Sequence, residues 1–425
     1  MFLSIKNLGK ISSADIEING ITVIAGENNT GKSTVGKTLY FIFNSFSKVS
    51  DKIDSERLSS ISRAIELSYV NMDNRLRVRR FELNDLAELI MEKLSSHESS
   101  DTNTQKELLH SVLLSSPLIQ NREENIDFDD IIDYIIEVAN ISDNEALVNI
   151  LVNKMQVDFG MQLNNVYYPN IPSEITLRIK DTTVQISVID DVSINVTNGL
   201  SLNTEAIFID DPYAFDNLHY ITPIRTTHHH IRYLSHREHL KSCLTRTETL
   251  SSIDEIVTTK KLGKALDKIN SICAGDIVRK GPRSYVYKES NSEVALNVIN
   301  ISPGLKTFAI IKTLLQNGCI ETNGTIILDE PEIHLHPEWQ LVFVELIVLL
   351  QKEFNLHVLL TTHSPYFLFA IEVYSRKYGI TNKCKYYLAE NTDAKATISD
   401  VSDNIDLIYA KLARPLQDLE NERYK

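Results

Sequence analysis

The sequence has no long apolar run. No stretch nears the roughly twenty residues a helix needs to cross a bilayer, so a membrane span is not expected. Its four cysteines, Cys243, Cys273, Cys319 and Cys384, are far apart and form no C-x-x-C pair. That argues against a disulfide framework or a zinc site, and it fits a reducing cytoplasm. The first residues alternate like a strand and do not form a basic-apolar leader, so no secretory signal is expected. Positive charge is in deficit, with a formal net charge of -14. This disfavours a broad grip on nucleic acid, although a local basic groove stays open. No internal repeat is visible. The composition is that of a globular protein, and 425 residues suffice for one large domain with an insertion, or for two domains.

What is present is concentrated near the two ends. Gly26-Glu27-Asn28-Asn29-Thr30-Gly31-Lys32-Ser33 fits the G-x-x-x-x-G-K-[ST] phosphate loop without a mismatch. The flanks decide how much such a match means. Ile21 to Ala25 is a short β-branched run, readable as a buried strand. From Ser33 and Thr34 onward, apolar residues at Val35, Leu39, Ile42 and Phe43 predict a helix. Strand, glycine loop and helix are the context the motif needs, and a chance glycine turn is the weaker reading. Backbone N–H groups from Gly26, Asn28, Asn29, Thr30, Gly31 and Thr34 are then expected to face the phosphates of ATP. Lys32 would reach the β- and γ-phosphates, and the Ser33 hydroxyl would bind Mg²⁺. Ahead of the loop, residues 2–8 and 14–18 alternate as two strands with a turn at Asn19-Gly20. The adenine is expected near these first strands, on a side chain the sequence does not single out.

The second segment, Thr325-Ile326-Ile327-Leu328-Asp329-Glu330, is an apolar run ending in two carboxylates. Its strand is expected beside the phosphate-loop strand. Asp329 would order Mg²⁺ through water and Ser33, and Glu330 would orient the attacking water as general base. Two adjacent carboxylates repel unless a cation is near, so the pair itself speaks for a metal; a solvated acidic loop is the plain alternative. An apolar helix from Leu341 and a further strand at residues 356–360 lead to Thr361-Thr362-His363-Ser364-Pro365. His363 is placed to reach a γ-phosphate. His334 and His336 shape the loop after Glu330 or, less simply, ligate a metal.

The run DEPE-x-HLHP-x-x-Q followed by TTHSP resembles the Walker B, D-loop and switch-histidine region of ABC-type ATPases in the SMC/RecF/OLD group, the AAA_15 or AAA_21 type. The resemblance covers residues 1–45 and 295–370. It implies an α/β fold: an ABC-type P-loop ATPase with a mixed sheet, an antiparallel β lobe and a helical insertion. It also implies a composite active site, in which a signature segment of a second subunit completes the phosphate-loop site of the first. Ile301-Ser302-Pro303-Gly304-Leu305-Lys306 stands where that signature falls. Ser302 and Gly304 match its serine and glycine, while Pro303, Leu305 and Lys306 depart from it. A plain helix N-cap followed by proline is the competing reading. No Q-loop glutamine is evident, and Arg225 in Tyr220-Ile221-Thr222-Pro223-Ile224-Arg225 is an interface or nucleotide candidate no stronger than a surface arginine.

The resemblance further implies a homodimer or higher homo-oligomer. Members with their own nuclease carry a Toprim domain after the core; only residues 364–425 follow His363 here, without a spread of acidic residues at strand ends suited to two metals, so a complete Toprim is not expected to fit. The expectation is therefore a cytoplasmic, stand-alone ATPase switch that controls a separate effector, a nuclease, as in anti-phage systems such as Septu and PARIS. Nucleic acid would then be met through the complex. The alternative is a DNA-repair ATPase of the RecF type that binds DNA directly. A non-hydrolysing scaffold has no need of Glu330, and a transporter ATPase would carry a fuller signature.

The remaining texture sets the domains: ATPase residues 1–50 and 161–425, and a helical insertion over 51–160. In the insertion, Leu86, Leu89, Ile90 and Leu94 are expected on one helix face. The arginines of Asn74-Arg75-Leu76-Arg77-Val78-Arg79-Arg80 suit a solvated face, a subunit contact or a nucleic acid. Residues 174–179, 183–188 and 193–196, then Ala206 to Ile209, read as strands completing the antiparallel lobe. Residues 228–272 read as helical, residues 284–298 as a hairpin, and 407–419 as an amphipathic helix.

Overall fold

A computed structural model describes residues 1–72, 80–96, 101–116, 128–197, 200–220, 233–246, 263–281, 284–289, 293–392 and 395–423. Arg225, Arg75, Arg77 and Arg79 lie outside them. The chain forms two compact units, one made of Met1–Ser47, Val152–Thr222 and Leu234–Lys425, the other of the remaining residues.

Strands run in chain order as β1 (Phe2–Leu8), β2 (Ile11–Glu17), β3 (Ile21–Gly26), β4 (Ser173–Ile179), β5 (Thr182–Ile189), β6 (Ser193–Thr197), β7 (Ala206–Ile209), β8 (Gly275–Gly281), β9 (Ser284–Glu289), β10 (Ala295–Asn297), β11 (Thr325–Asp329), β12 (His357–Thr362), β13 (Cys384–Thr392) and β14 (Lys395–Asp400). One mixed sheet has the order β6-β5-β4-β1-β2-β14-β13-β3-β12-β11-β7, and a small antiparallel sheet has the order β10-β9-β8. The helices are α1 (Lys32–Phe46), α2 (Val49–Met72), α3 (Arg80–Ser96), α4 (Thr102–Ser115), α5 (Asp129–Asn140), α6 (Asp143–Phe159), α7 (His236–Leu244), α8 (263–272), α9 (Pro303–Gln316), α10 (Pro337–Phe354), α11 (Pro365–Tyr378) and α12 (Asp406–Arg423).

The sheet has two characters, and residue patterning explains both. From β6 to β2 the strands pair antiparallel and alternate buried with exposed, as a sheet with one wet face must. From β13 to β7 they pair parallel, and β3 and β7 are buried at every residue. Such strands are covered on both faces and read as unbroken apolar runs. The central core gathers around them, with Val23, Phe308, Ile310, Leu328, Leu346 and Leu360 nearly inaccessible.

Three expectations are corrected here. Ala206–Ile209 does not extend the antiparallel lobe: it is the far parallel edge strand, beside β11. Its run of four buried residues, without alternation, is the physical sign of that place. Second, β11 is not adjacent to β3, because β12 pairs with both. Third, Leu89 is 39% exposed while Leu86, Ile90 and Leu94 are buried. At 3.6 residues per turn Leu89 projects roughly 100° away from the centre of that stripe.

The smaller unit is helical, with a core of its own that includes Ile61, Leu83, Ile90, Leu109 and Ile135. Among the described residues no helix is long and apolar enough to cross a membrane.

Candidate ATP site

The phosphate loop leaves β3 and enters α1, and two glycines are required by contact. A Cβ on Gly26 would stand 2.2 Å from the Ala389 carbonyl oxygen of β13. Gly31 has φ 82°, and a Cβ there would stand 2.7 Å from Ile11 Cγ1. Asn29 takes a left-handed φ of 62°, and the Thr30 hydroxyl donates to Glu27 O at 2.8 Å. Asn28 and Asn29 are exposed; Thr30 and Lys32 are buried. Lys32 Nζ donates to Gly26 O at 3.0 Å and Glu27 O at 2.7 Å, so the ammonium lies within the loop. Burial holds it below the ordinary lysine range, against the pull of Glu330, Asp329 and Glu332.

The parallel strands bring their carboxyl ends to this loop in register. Asp329 lies opposite Thr361, and Thr361 lies opposite Ile24. The Ser33 hydroxyl donates to Asp329 Oδ1 at 3.1 Å, and the Thr361 hydroxyl donates to the same oxygen at 2.5 Å. Two residues that lie far apart in sequence thus share one hydrogen bond. Burial raises the Asp329 carboxyl above its ordinary value; the two hydroxyls oppose this, and the charges of Glu330 and Asp210 add to it. A buried acid beside the Ser33 hydroxyl offers two oxygens to a hard divalent cation, which would take its other ligands from phosphate and water.

Glu330 has φ 48°, which turns the chain off the strand end. Its N–H donates to Thr361 O at 3.2 Å and to Thr361 Oγ1 at 3.0 Å. This aims the side chain back over the loop. Glu330 Oε1 is 3.7 Å from Lys32 Nζ, and Oε2 is 3.7 Å from His363 Nδ1. His363 therefore joins the group from the end of β12.

Sequence reasoning passes over two acids. Glu332 is buried and accepts from the Thr362 hydroxyl and, at 3.1 Å, from His363 N–H. Burial pushes its carboxyl up. It holds the backbone at Thr362 and His363 in place. Asp210 follows β7 and accepts from Arg237 Nε and Nη2 at 3.0 and 2.9 Å, with His236 Nε2 at 3.0 Å. Burial would raise its carboxyl, but these partners win and hold it below the usual range. Asp210 and Asp211 line the same pocket as Asp329, Glu330 and His334. A signal is available: Ala206 to Asp211 repeats the pattern of Thr325 to Glu330, an apolar run ending in two acids.

Ser302 and Gly304 are not brought to the phosphate loop of their own chain by any hydrogen bond or ion pair among the described residues. Ser302 is exposed and N-caps α9, accepting from Leu305 N–H at 3.3 Å, with Pro303 in the first turn. A Cβ on Gly304 would meet His334 O at 2.9 Å and Trp339 at 3.2 Å, so the start of α9 packs against the loop after Glu330. Lys306 is buried and donates to Asp216 Oδ1 at 2.5 Å. His334 packs edge-on against Tyr213, and no group of three or more metal-ligating side chains occurs among the described residues.

The chain matches the AAA_15 family, described as AAA ATPase domain, over residues 1–368, and it belongs to that family. It is an ATPase. It is 31% identical over 142 residues to the Retron Ec83 probable ATPase of Escherichia coli, covering 30% of this chain and 25% of that one. It is 29% identical over 111 residues to the Retron Vc95 probable ATPase of Vibrio cholerae, covering 26% and 20%. The matched part thus spans a quarter of these relatives' length or less. Among solved structures, an SMC head bound to the C-winged helix domain of ScpA aligns with a TM-score of 0.47 at 9% identity, covering 96% of this chain and 98% of that one. The SMC head domain from Thermotoga maritima aligns with a TM-score of 0.40 at 9% identity, covering 94% and 98%.

Proposed function

We propose that the protein is a Mg²⁺-dependent, ATP-hydrolysing switch that dimerises through shared sites and controls a separate effector. The observation that carries the reading is the convergence of Ser33 with Asp329, and of Lys32 and His363 with Glu330, on one loop. Ser33 and Asp329 would hold Mg²⁺, which when bound neutralises charge on the β- and γ-phosphates. Lys32 meets the same phosphates as a cation. Glu330 accepts the proton of the attacking water, and His363 contacts the γ-phosphate side. Ser302 and Gly304 act on the site of a second subunit: the exposed hydroxyl and the α9 N-terminus suit an incoming phosphate. The effector is a nuclease, and the setting is anti-phage defence. The retron ATPases among the relatives support that setting.

The shared site is tested by mixing two inactive variants, Lys32→Ala and Ser302→Arg. A mixed dimer keeps one intact pair, a phosphate loop from one chain and a signature from the other. About half the wild-type turnover per mixed dimer is expected to return, since one of two sites is whole. No recovery, with mixed dimers confirmed by native mass spectrometry, defeats action in trans.

The effector is tested on nucleic acid. The purified chain is expected to hydrolyse ATP yet leave plasmid, linear DNA and RNA uncut with Mg²⁺ or Mn²⁺. Cleavage should appear when the partner is supplied and should follow the nucleotide state. Nuclease activity inherent in the single chain, and lost on substitution within it, would overturn the reading.

A further inference from the structure

The four cysteines are far apart in the sequence, and the fold brings two of them together. Cys243, in the last turn of α7, and Cys319, shortly after α9, are 76 residues apart, yet Cys319 Sγ stands 3.6 Å from Cys243 O. We propose that Cys243 and Cys319 are a peroxide-sensitive pair that closes into a reversible disulfide, clamps α7 to the end of α9 and slows ATP turnover.

Both backbones are held in place for this. Asn317 Nδ2 donates to Cys243 O at 2.8 Å and to Leu244 O at 3.2 Å, so the turn after α9 is fastened to the end of α7. Gly318, with φ 66°, and the bond from Cys319 N–H to Leu314 O at 2.9 Å close that turn. The Cys243 thiol donates to the Cys319 sulfur. This bond raises Cys243 above its ordinary value, as burial does too, and holds Cys319 below it. Burial opposes the shift at Cys319, and the Arg246 guanidinium beside it adds to the fall. The pair is partly exposed. Cys273 and Cys384 are buried instead, and burial pushes both of their thiols up to about 11. A reachable thiolate beside a second thiol is what oxidation selects.

Cys319 is the attacking sulfur. His239 Nε2 lies 3.7 Å from Cys243 Sγ, but it carries a proton: Asn44 Oδ1 accepts from Ala206 N–H at 2.9 Å, which turns Asn44 Nδ2 toward His239 Nδ1 at 3.4 Å. His239 is therefore no base for Cys243. The Cys319 thiolate attacks one oxygen of hydrogen peroxide, the O–O bond breaks, and the departing hydroxide takes up a proton as water. Cys243 then attacks the sulfenic sulfur of Cys319. The S–S bond forms, the S–O bond breaks, and the hydroxide leaves with the Cys243 proton as a second water. Two thiols lose two electrons to one peroxide, and a small dithiol returns them.

The link to turnover is that α7 braces β7 at both ends. His239 Nε2 meets Glu205 Oε2 at 2.9 Å before the strand. His236 and Arg237 hold Asp210 after it, in the pocket shared with Asp329 and Glu330. α9 carries Ser302 and Gly304 at its start. A covalent bond between the far ends of α7 and α9 stops them shifting separately.

The reduced chain and the variants Cys243→Ser and Cys319→Ser are treated with hydrogen peroxide, with dimedone to trap sulfenic acid, then denatured, alkylated and weighed. The wild type should fall from four alkylated thiols to two, with one peptide pair joining Cys243 to Cys319. Its ATP turnover should drop severalfold, and dithiothreitol should restore both. Cys243→Ser should take dimedone at Cys319, Cys319→Ser should form neither adduct nor disulfide, and neither variant should slow under peroxide. The proposal falls if all four thiols stay alkylatable in peroxide that oxidises glutathione, if the new bond joins other cysteines or two chains, or if the disulfide forms and turnover is unchanged. A reduced wild type that hydrolyses no ATP would instead fault the ATPase reading, on which the slowing rests, while the alkylation count still decides the disulfide.

Discussion

Lys32→Ala will lose ATP binding and turnover together while the fold persists. The Lys32 ammonium is the buried cation inside the loop, and its present acceptors are Gly26 O and Glu27 O. Charge-assisted hydrogen bonds are worth about 1.5–3 kcal/mol each, and two of them to phosphate oxygens correspond to a loss of about 10²-fold or more in affinity. Alanine is the best helix former, so the first turn of α1 does not suffer. The variant also leaves Glu330 without its cationic neighbour, which removes a reason for that side chain to point at the loop. Calorimetric titration of the folded variant with Mg²⁺-ATP measures this directly. Wild-type affinity there would end the assignment of the phosphate loop.

Glu330→Gln separates binding from chemistry. Glutamine has the same shape, so the turn held by Thr361 O and Oγ1 should survive, and Mg²⁺-ATP should bind with near wild-type affinity. The amide cannot accept a proton from water. A positioned general base contributes about 10²–10⁴-fold, so kcat should fall by that factor. ATP should then stay bound, and a nucleotide-dependent dimer should build up on size-exclusion chromatography. Wild-type turnover by this variant would remove Glu330 from the role of base. The neighbour Glu332 is then the acid to try next: it lies 3.7 Å from His363 Nδ1, although its Oε1 is already engaged by Thr362 and His363 N–H.

Much of this site is legible in the residues alone. The phosphate loop announces itself because its geometry needs glycine at fixed spacing and a lysine at one place. Asp329 and Glu330 are legible because charge at the end of an apolar run is costly without a cation. Glu332 is not, because its role is to hold the backbone at Thr362 and His363, a contact made across two strand ends. Asp210 escapes because Ala206–Ile209 reads as a continuation of the antiparallel strands before it. The strands β13 and β14 escape as well. Cys384–Thr392 nevertheless sits directly beside β3, where its Ala389 leaves room only for glycine at position 26.

The sequence by itself determined which segments to bring together as a candidate site, because a phosphate loop, a strand-end carboxylate pair and an apolar strand ending in histidine each depend on local spacing. Only the tertiary structure decided who stands beside whom. Strand order is a matter of long-range pairing: parallel strands are buried on both faces and look alike in sequence, so nothing in Ile21 to Gly26 says that β12 and β13, and not β11, will flank it. The same is true of Ser33, in the first turn of α1, and Asp329, at the end of β11, whose shared hydrogen bond forms although β12 stands between β3 and β11 in the sheet.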